Sequence, residues 1–171
     1  MNKRHPANAN LMAIRLFRDF DPSELDELLE LAEPWLIPAG RNIVTQGDTG
    51  HSMFIVTEGE AMAVMRQPDG LEIEVGRFKV GDIFGEMALL GSRPRNADVI
   101  AVTDCMVMTV TTGLMRMLGL AFPRPAFKLS MAILELVGRR VHDADERYGH
   151  SLSIVSALSA ESTVMVQERV A

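Results

Sequence analysis

The sequence predicts a mainly β domain, a barrel or jelly roll, with helices before and after it. Three observations lead there. Between Trp35 and Phe78, short strand-like runs are cut by corners at Pro38-Ala39-Gly40, Gln46-Gly47-Asp48, Glu58-Gly59-Glu60 and Pro68-Asp69-Gly70. Two more such runs, Asn96–Val102 and Cys105–Val110, follow a glycine-rich loop. Helical periodicity appears only outside this block. Brief strands between glycine corners fit a barrel or jelly roll and not a parallel α/β sheet.

Taken in order, positions 1–10 are polar and expected to be mobile. Leu11, Ile14, Phe17 and Phe20 then recur at helical spacing. Asp21-Pro22-Ser23-Glu24 is a helix start: Asp21 caps, Pro22 fits the first helical position, and Glu24 completes a capping box. Leu25, Leu28, Leu29 and Ala32 share one face, predicting a helix over Pro22–Leu31 that Pro34 ends. The strand runs are Trp35–Ile37, Asn42–Thr45, Ser52–Thr57, Ala61–Arg66 and Leu71–Phe78, the last alternating apolar and polar. Asp69-Gly70 marks a tight hairpin. After Val110, Thr111 or Thr112 caps a short helix through Leu118, and Pro123 and Pro125 break it. A longer helix is expected from Pro125 to Tyr148, with Gly149 as its stop. Positions 150–171 form a tail to which the pattern assigns no structure.

Composition narrows the function. The chain has 171 residues and a formal charge of −6, which argues against a nucleic-acid-coating surface. No apolar stretch approaches the roughly 18–20 residues of a membrane span, so no membrane insertion is expected. A single cysteine, Cys105, rules out an internal disulfide and points to a reducing cytoplasm. Cys105 itself is expected to be a small buried residue. The twelve methionines are expected mostly in the core. Four scattered histidines do not make a metal site, and His142-Asp143 with Asp145-Glu146 reads as a solvated helix face. There is no nucleophile elbow and no P-loop, so no enzyme is expected and no cofactor is called for.

The stretch with chemistry is Gly81–Ala101, GDIFGEMALLGSRPRNADVIA. Phe84 would anchor it, and Gly85 lets backbone pass close to a ligand. Glu86–Leu90 is helix-prone and opens with free N–H groups, an anion site. Arg95 brings a fork suited to phosphate. Glu86 fits beside an anion if it accepts from a ligand hydroxyl. The bland alternative is a structural Glu86–Arg95 ion pair.

FGEMALLGSRPRNADV resembles the phosphate-binding cassette of the cyclic nucleotide-binding domain family, roughly F-G-E-[LIM]-[AGC]-L, a variable stretch, then R-[AST]-A-x-V. The resemblance runs upstream through PAGRNIVTQGDTGHSMFIVTEGEAMAV, with Gly40, Ile43, Gly47, Asp48, Ile55 and Gly59 at the family's corner and core positions, and downstream to Tyr148. It implies a double-stranded β-helix (jelly-roll) barrel over 11–149 with N-terminal helices and C-terminal hinge and lid helices. It implies a ligand, cAMP ahead of cGMP, on Phe84, Gly85, Glu86, Met87, Ala88, Arg95, Asn96 and Ala97. Glu86 would take the ribose 2′-OH; Arg95 would take the cyclic phosphate, with N–H groups near Ala88 and Ala97. Asn96 departs from the family's Ala, Ser or Thr, which leaves the base preference open. Asp98, by strand alternation, would point away from the ligand. The expected function is a sensing module whose helices from Thr112 to Tyr148 shift on binding and address an effector protein or a second copy through helix 125–148. The alternative keeps the fold as a nucleotide-independent interaction module. Direct DNA binding is not expected, since residues 150–171 are too few for a winged helix and carry one basic residue.

Overall fold

The computed structural model describes residues 11–32, 34–91 and 93–170, with backbone alone at 90, 93 and 147–170. The mobility expected of 1–10 falls outside these residues. Leu11, Ile14, Phe17 and Phe20 are all buried; the backbone is helical at 11–12 and then winds a 3-10 turn at Arg15–Phe17 instead of one continuous helix. So short a segment gains little from helical hydrogen bonds and is held by packing, including an edge-to-face contact of Phe17 on Phe20 at 5.4 Å. Helix α1 spans Pro22–Leu31 with the predicted capping box; the Asp21 N–H donates to Glu24 Oε2 at 2.9 Å.

Ten strands follow: β1 Trp35–Ile37, β2 Asn42–Val44, β3 Thr49–Gly50, β4 Ser52–Glu58, β5 Ala61–Arg66, β6 Glu72–Phe78, β7 Ile83–Phe84, β8 Arg93–Pro94, β9 Asp98–Ala101 and β10 Cys105–Thr111. They form two antiparallel four-stranded sheets, ordered β1-β10-β4-β7 and β2-β9-β5-β6, with β3 and β8 as a separate pair. The fold is mainly β, a jelly roll with flanking helices. Ile37, Phe54, Val56, Ala61, Ala63, Phe84, Val99, Ala101, Cys105 and Val107 make the core between the sheets. Burial raises the pKa of the Cys105 thiol and keeps it neutral.

The hairpin predicted at Asp69-Gly70 joins β5 to β6, with Gly70 at φ +85 and the Leu71 N–H on Asp69 Oδ1 at 3.0 Å. Its second strand departs from expectation. Leu71, Ile73 and Val75 are exposed, because β6 lies at a sheet edge and a register shift between Ala63 and Val64 leaves Val75 as the extra residue. The methionines also divide: Met53 and Met108 are fully buried, whereas Met12, Met87, Met117 and Met131 are exposed.

Helix α2 is the short Glu86–Leu90, α3 is Thr112–Ala121, and α4 is Pro123–Val170. The expected stop at Gly149 is not used, and residues 150–170 are helical. An interior glycine costs about 1 kcal/mol against alanine, too little to end a helix by itself. The chain divides into two compact units, one ending at Ile133 and one starting at Leu134. In the second, positions 141–146 are exposed, with His142 3.5 Å from Glu146, so the solvated face is present.

Thr111 is the cap of α3, its Oγ1 accepting from the Leu114 N–H at 3.0 Å. Thr111→Ala should cost about 0.5–2 kcal/mol in urea unfolding while the core β signal at low urea is unchanged.

Candidate functional site

The loop between β7 and β9 is fixed from both ends. Phe84 pairs across strands with Phe54 and stacks on it at 5.2 Å, and Phe78 tilts against it at 4.9 Å. Gly85, at φ +77, then turns the chain into α2. On the return, β8 pairs with β3, and the Arg95 backbone is held twice. Its N–H donates to Asp48 O, and its C=O accepts from the Gly47 N–H, both at 2.9 Å.

From that anchored backbone the Arg95 side chain runs inward and is 9% exposed. Its Nη1 donates to Gly85 O at 3.2 Å, and its Nη2 to Ser52 O at 2.8 Å and Ser52 Oγ at 3.1 Å. The guanidinium carbon lies 5.6 Å from the Phe54 ring centroid. Two glycines make room for it. A Cβ on Gly50 would stand 2.6 Å from Nη2, and one on Gly85 would stand 2.5 Å from Nη1. Any larger residue at either position must move the guanidinium.

Glu86 opens α2 and is 7% exposed. Burial pushes the Arg95 pKa down and the Glu86 carboxylate pulls it back up. An arginine stays charged through such a shift. The result is a buried cation beside a buried carboxylate. Three hydrogen bonds to protein oxygens leave part of the five-donor fork for another acceptor. That pairing suits a small anion that also carries a hydroxyl.

The structure thus brings Phe84, Gly85, Glu86 and Arg95 together, with Ala88 buried beneath, its N–H on Gly85 O at 3.1 Å. Met87 and Asn96 are exposed, and Ala97 is half-buried against the core. Asp98 is buried; it accepts from the Gln46 N–H at 2.7 Å and pairs with Arg66 Nε at 3.0 Å. Sequence reasoning did not single out Gly50, Ser52 or Phe54 as partners of Arg95. The available signal was weak: a glycine just before an apolar strand. Among the described residues no group of three or more His, Cys, Asp or Glu is placed to hold a metal ion.

Residues 35–118 match the sequence profile of the cyclic nucleotide-binding domain. A cAMP-dependent protein kinase regulatory subunit from Neurospora crassa is 36% identical over 106 residues, 62% of this chain and 27% of that protein. The chain spans about a quarter of the curated relatives it matches, 27% and 28% for two of them. Catabolite activator protein from Thermus thermophilus superposes with a TM-score of 0.67 at 28% identity, covering 76% of this chain and 59% of that one. The regulatory domain of the Toxoplasma gondii kinase, solved with cAMP, gives 0.62 at 26% identity, covering 80% and 49%.

Gly50→Ala should expel the guanidinium from its socket. Peptide mapping after phenylglyoxal treatment should find Arg95 protected in the parent chain and modified in the variant, because a shielded guanidinium becomes accessible. Equal protection in both would show that the socket tolerates a methyl group.

Proposed function

Residues 35–118 of this chain belong to the cyclic nucleotide-binding domain family, and on that basis we propose that it senses a cyclic mononucleotide, cAMP ahead of cGMP, through a domain over 11–149. The observation that carries this reading is the buried Arg95 beside the buried Glu86 behind Gly85. Arg95 would pair with the cyclic phosphate and Glu86 would accept from the ribose 2′-OH. Phe84, Gly85 and Met87 would shape the cassette, and backbone N–H groups near Ala88 and Ala97 would help Arg95 hold the phosphate. Asn96 is exposed, and its departure from the family's Ala, Ser or Thr leaves the base preference open. One named relative is a kinase regulatory subunit, and that supports reading this domain as regulatory and non-catalytic. Among the described residues no helix is long and apolar enough to cross a membrane, and we place the protein in the cytoplasm.

Binding acts on the helices from Thr112 to Tyr148. A ligand can move them only through different affinity for two of their arrangements. The output is a changed helix surface for an effector protein or for a second copy of the chain. A homodimer through helix 125–148 is favoured by Leu134 and Val141, both exposed seven positions apart on one helix. Light scattering should then show Leu134→Glu shifting the chain toward monomer; an unchanged mass would remove this seam.

A second reading, a nucleotide-independent interaction module, is favoured by one observation. Arg95 is already engaged by Gly85 and Ser52, so it can serve as a strut without any ligand. Calorimetry and melting separate the two. Under the sensing reading, cAMP at about a thousand-fold excess over Kd adds about 4 kcal/mol and raises the melting midpoint by several degrees. Arg95→Ala should lose about 2–5 kcal/mol of binding free energy while remaining folded. No shift with cAMP or cGMP at millimolar concentration would favour the strut.

A further inference from the structure

A second ionic cluster, centred on one buried carboxylate, joins α1 to the start of α4. Glu24 of α1 is 6% exposed, and its Oε2 accepts from the Asp21 N–H at 2.9 Å and from Lys128 Nζ at 2.5 Å. Arg124 Nε stands 3.8 Å from Oε1, an oxygen that no hydrogen bond reaches. The Lys128 ammonium also sits 5.8 Å over the Phe20 ring, just before α1. Burial alone would raise the Glu24 pKa. Hydrogen bonds from Lys128 and the Asp21 N–H, with the charges of Lys128 and Arg124, outweigh it, and the pKa is lowered. The Glu24 carboxylate is therefore ionised at neutral pH.

A buried carboxylate with one oxygen lacking a donor is an incompletely satisfied network. Such a contact resists separation, because removing Lys128 strands a buried carboxylate, yet it adds little net stability where it stands. It ties two elements together without forming an optimal core. Lys128 lies on the helix that the proposed function makes the moving output, whereas Glu24 lies on a helix that contributes nothing to the cassette.

We infer that the Glu24–Lys128 pair couples α1 to α4, so that cyclic nucleotide affinity at the cassette depends on a contact made wholly outside it. This rests on the nucleotide-sensing reading. If the shift of α4 on binding breaks or loosens the pair, the energy lost at the contact enters the binding equilibrium; a pair carried along intact would not change it. By reciprocity, altering the contact alters affinity.

The test is calorimetric titration of cAMP into four proteins: the parent, Glu24→Gln, Lys128→Met and the double variant. Each single change should shift Kd by at least about five-fold, both in the same direction. The double variant should shift it no further than the larger single change, since both remove one interaction. Replacing both charges with neutral groups is the change a buried pair tolerates best, which keeps a folded comparison available. A merely structural pair would lower melting temperatures and leave Kd alike in all four, which overturns the inference. A parent chain that binds no cAMP overturns the sensing reading and this inference with it.

Discussion

The placement of one guanidinium governs this domain. Arg95 comes from a loop, yet its side chain ends buried among the carbonyl oxygens of Gly85 and Ser52, over the face of Phe54. Burying a charge without partners costs several kcal/mol, so the surrounding backbone has to be arranged to meet it. That requirement explains Gly50 and Gly85, neither of which can carry a Cβ without striking the guanidinium. It explains the small β3–β8 pairing, which clamps the Arg95 backbone through Asp48 and Gly47. It also explains why Glu86 can be buried nearby, since each charge lowers the cost of the other.

The two sheets supply the frame. Strand β4 contributes Ser52 and Phe54 to the socket at one end and Val56 to the core in its middle, so socket and core share a strand. The stacked Phe54 and Phe84 rings fasten β7, and thereby Gly85, to that strand. Displacing Arg95 therefore disturbs a strand that also carries part of the core.

Much of this was legible in the chain itself. The capping box at Asp21 and Glu24, the Asp69-Gly70 hairpin and the short strands between glycine corners are local signals, and the structure follows them. The Phe84-Gly85-Glu86 turn and Arg95 stand out as chemistry that a core has no use for. What was not legible depends on neighbours far away in sequence. Ser52 meets Arg95 across a separation of 43 positions, and nothing in its local pattern says so. Leu71, Ile73 and Val75 alternate like a half-buried strand, but an edge position and a bulge leave them exposed. Gly149 looked like a stop, yet the helix continues because one glycine is a weak break. The buried Glu24–Lys128 contact spans 104 positions and was hidden behind a correct reading of Glu24 as a capping residue.

The same residue can thus serve two levels at once: Glu24 starts a helix and ties it to another, and Arg95 holds a loop and, in the proposed reading, would offer donors to an anion. The central claim concerns the second role of Arg95. A crystal structure of the chain grown with cAMP tests it most directly. The account predicts the cyclic phosphate within hydrogen-bond distance of the Arg95 guanidinium and the ribose 2′-OH on Glu86. A nucleotide seated elsewhere, or a socket still closed on Ser52 and Gly85 at millimolar cAMP, would contradict it.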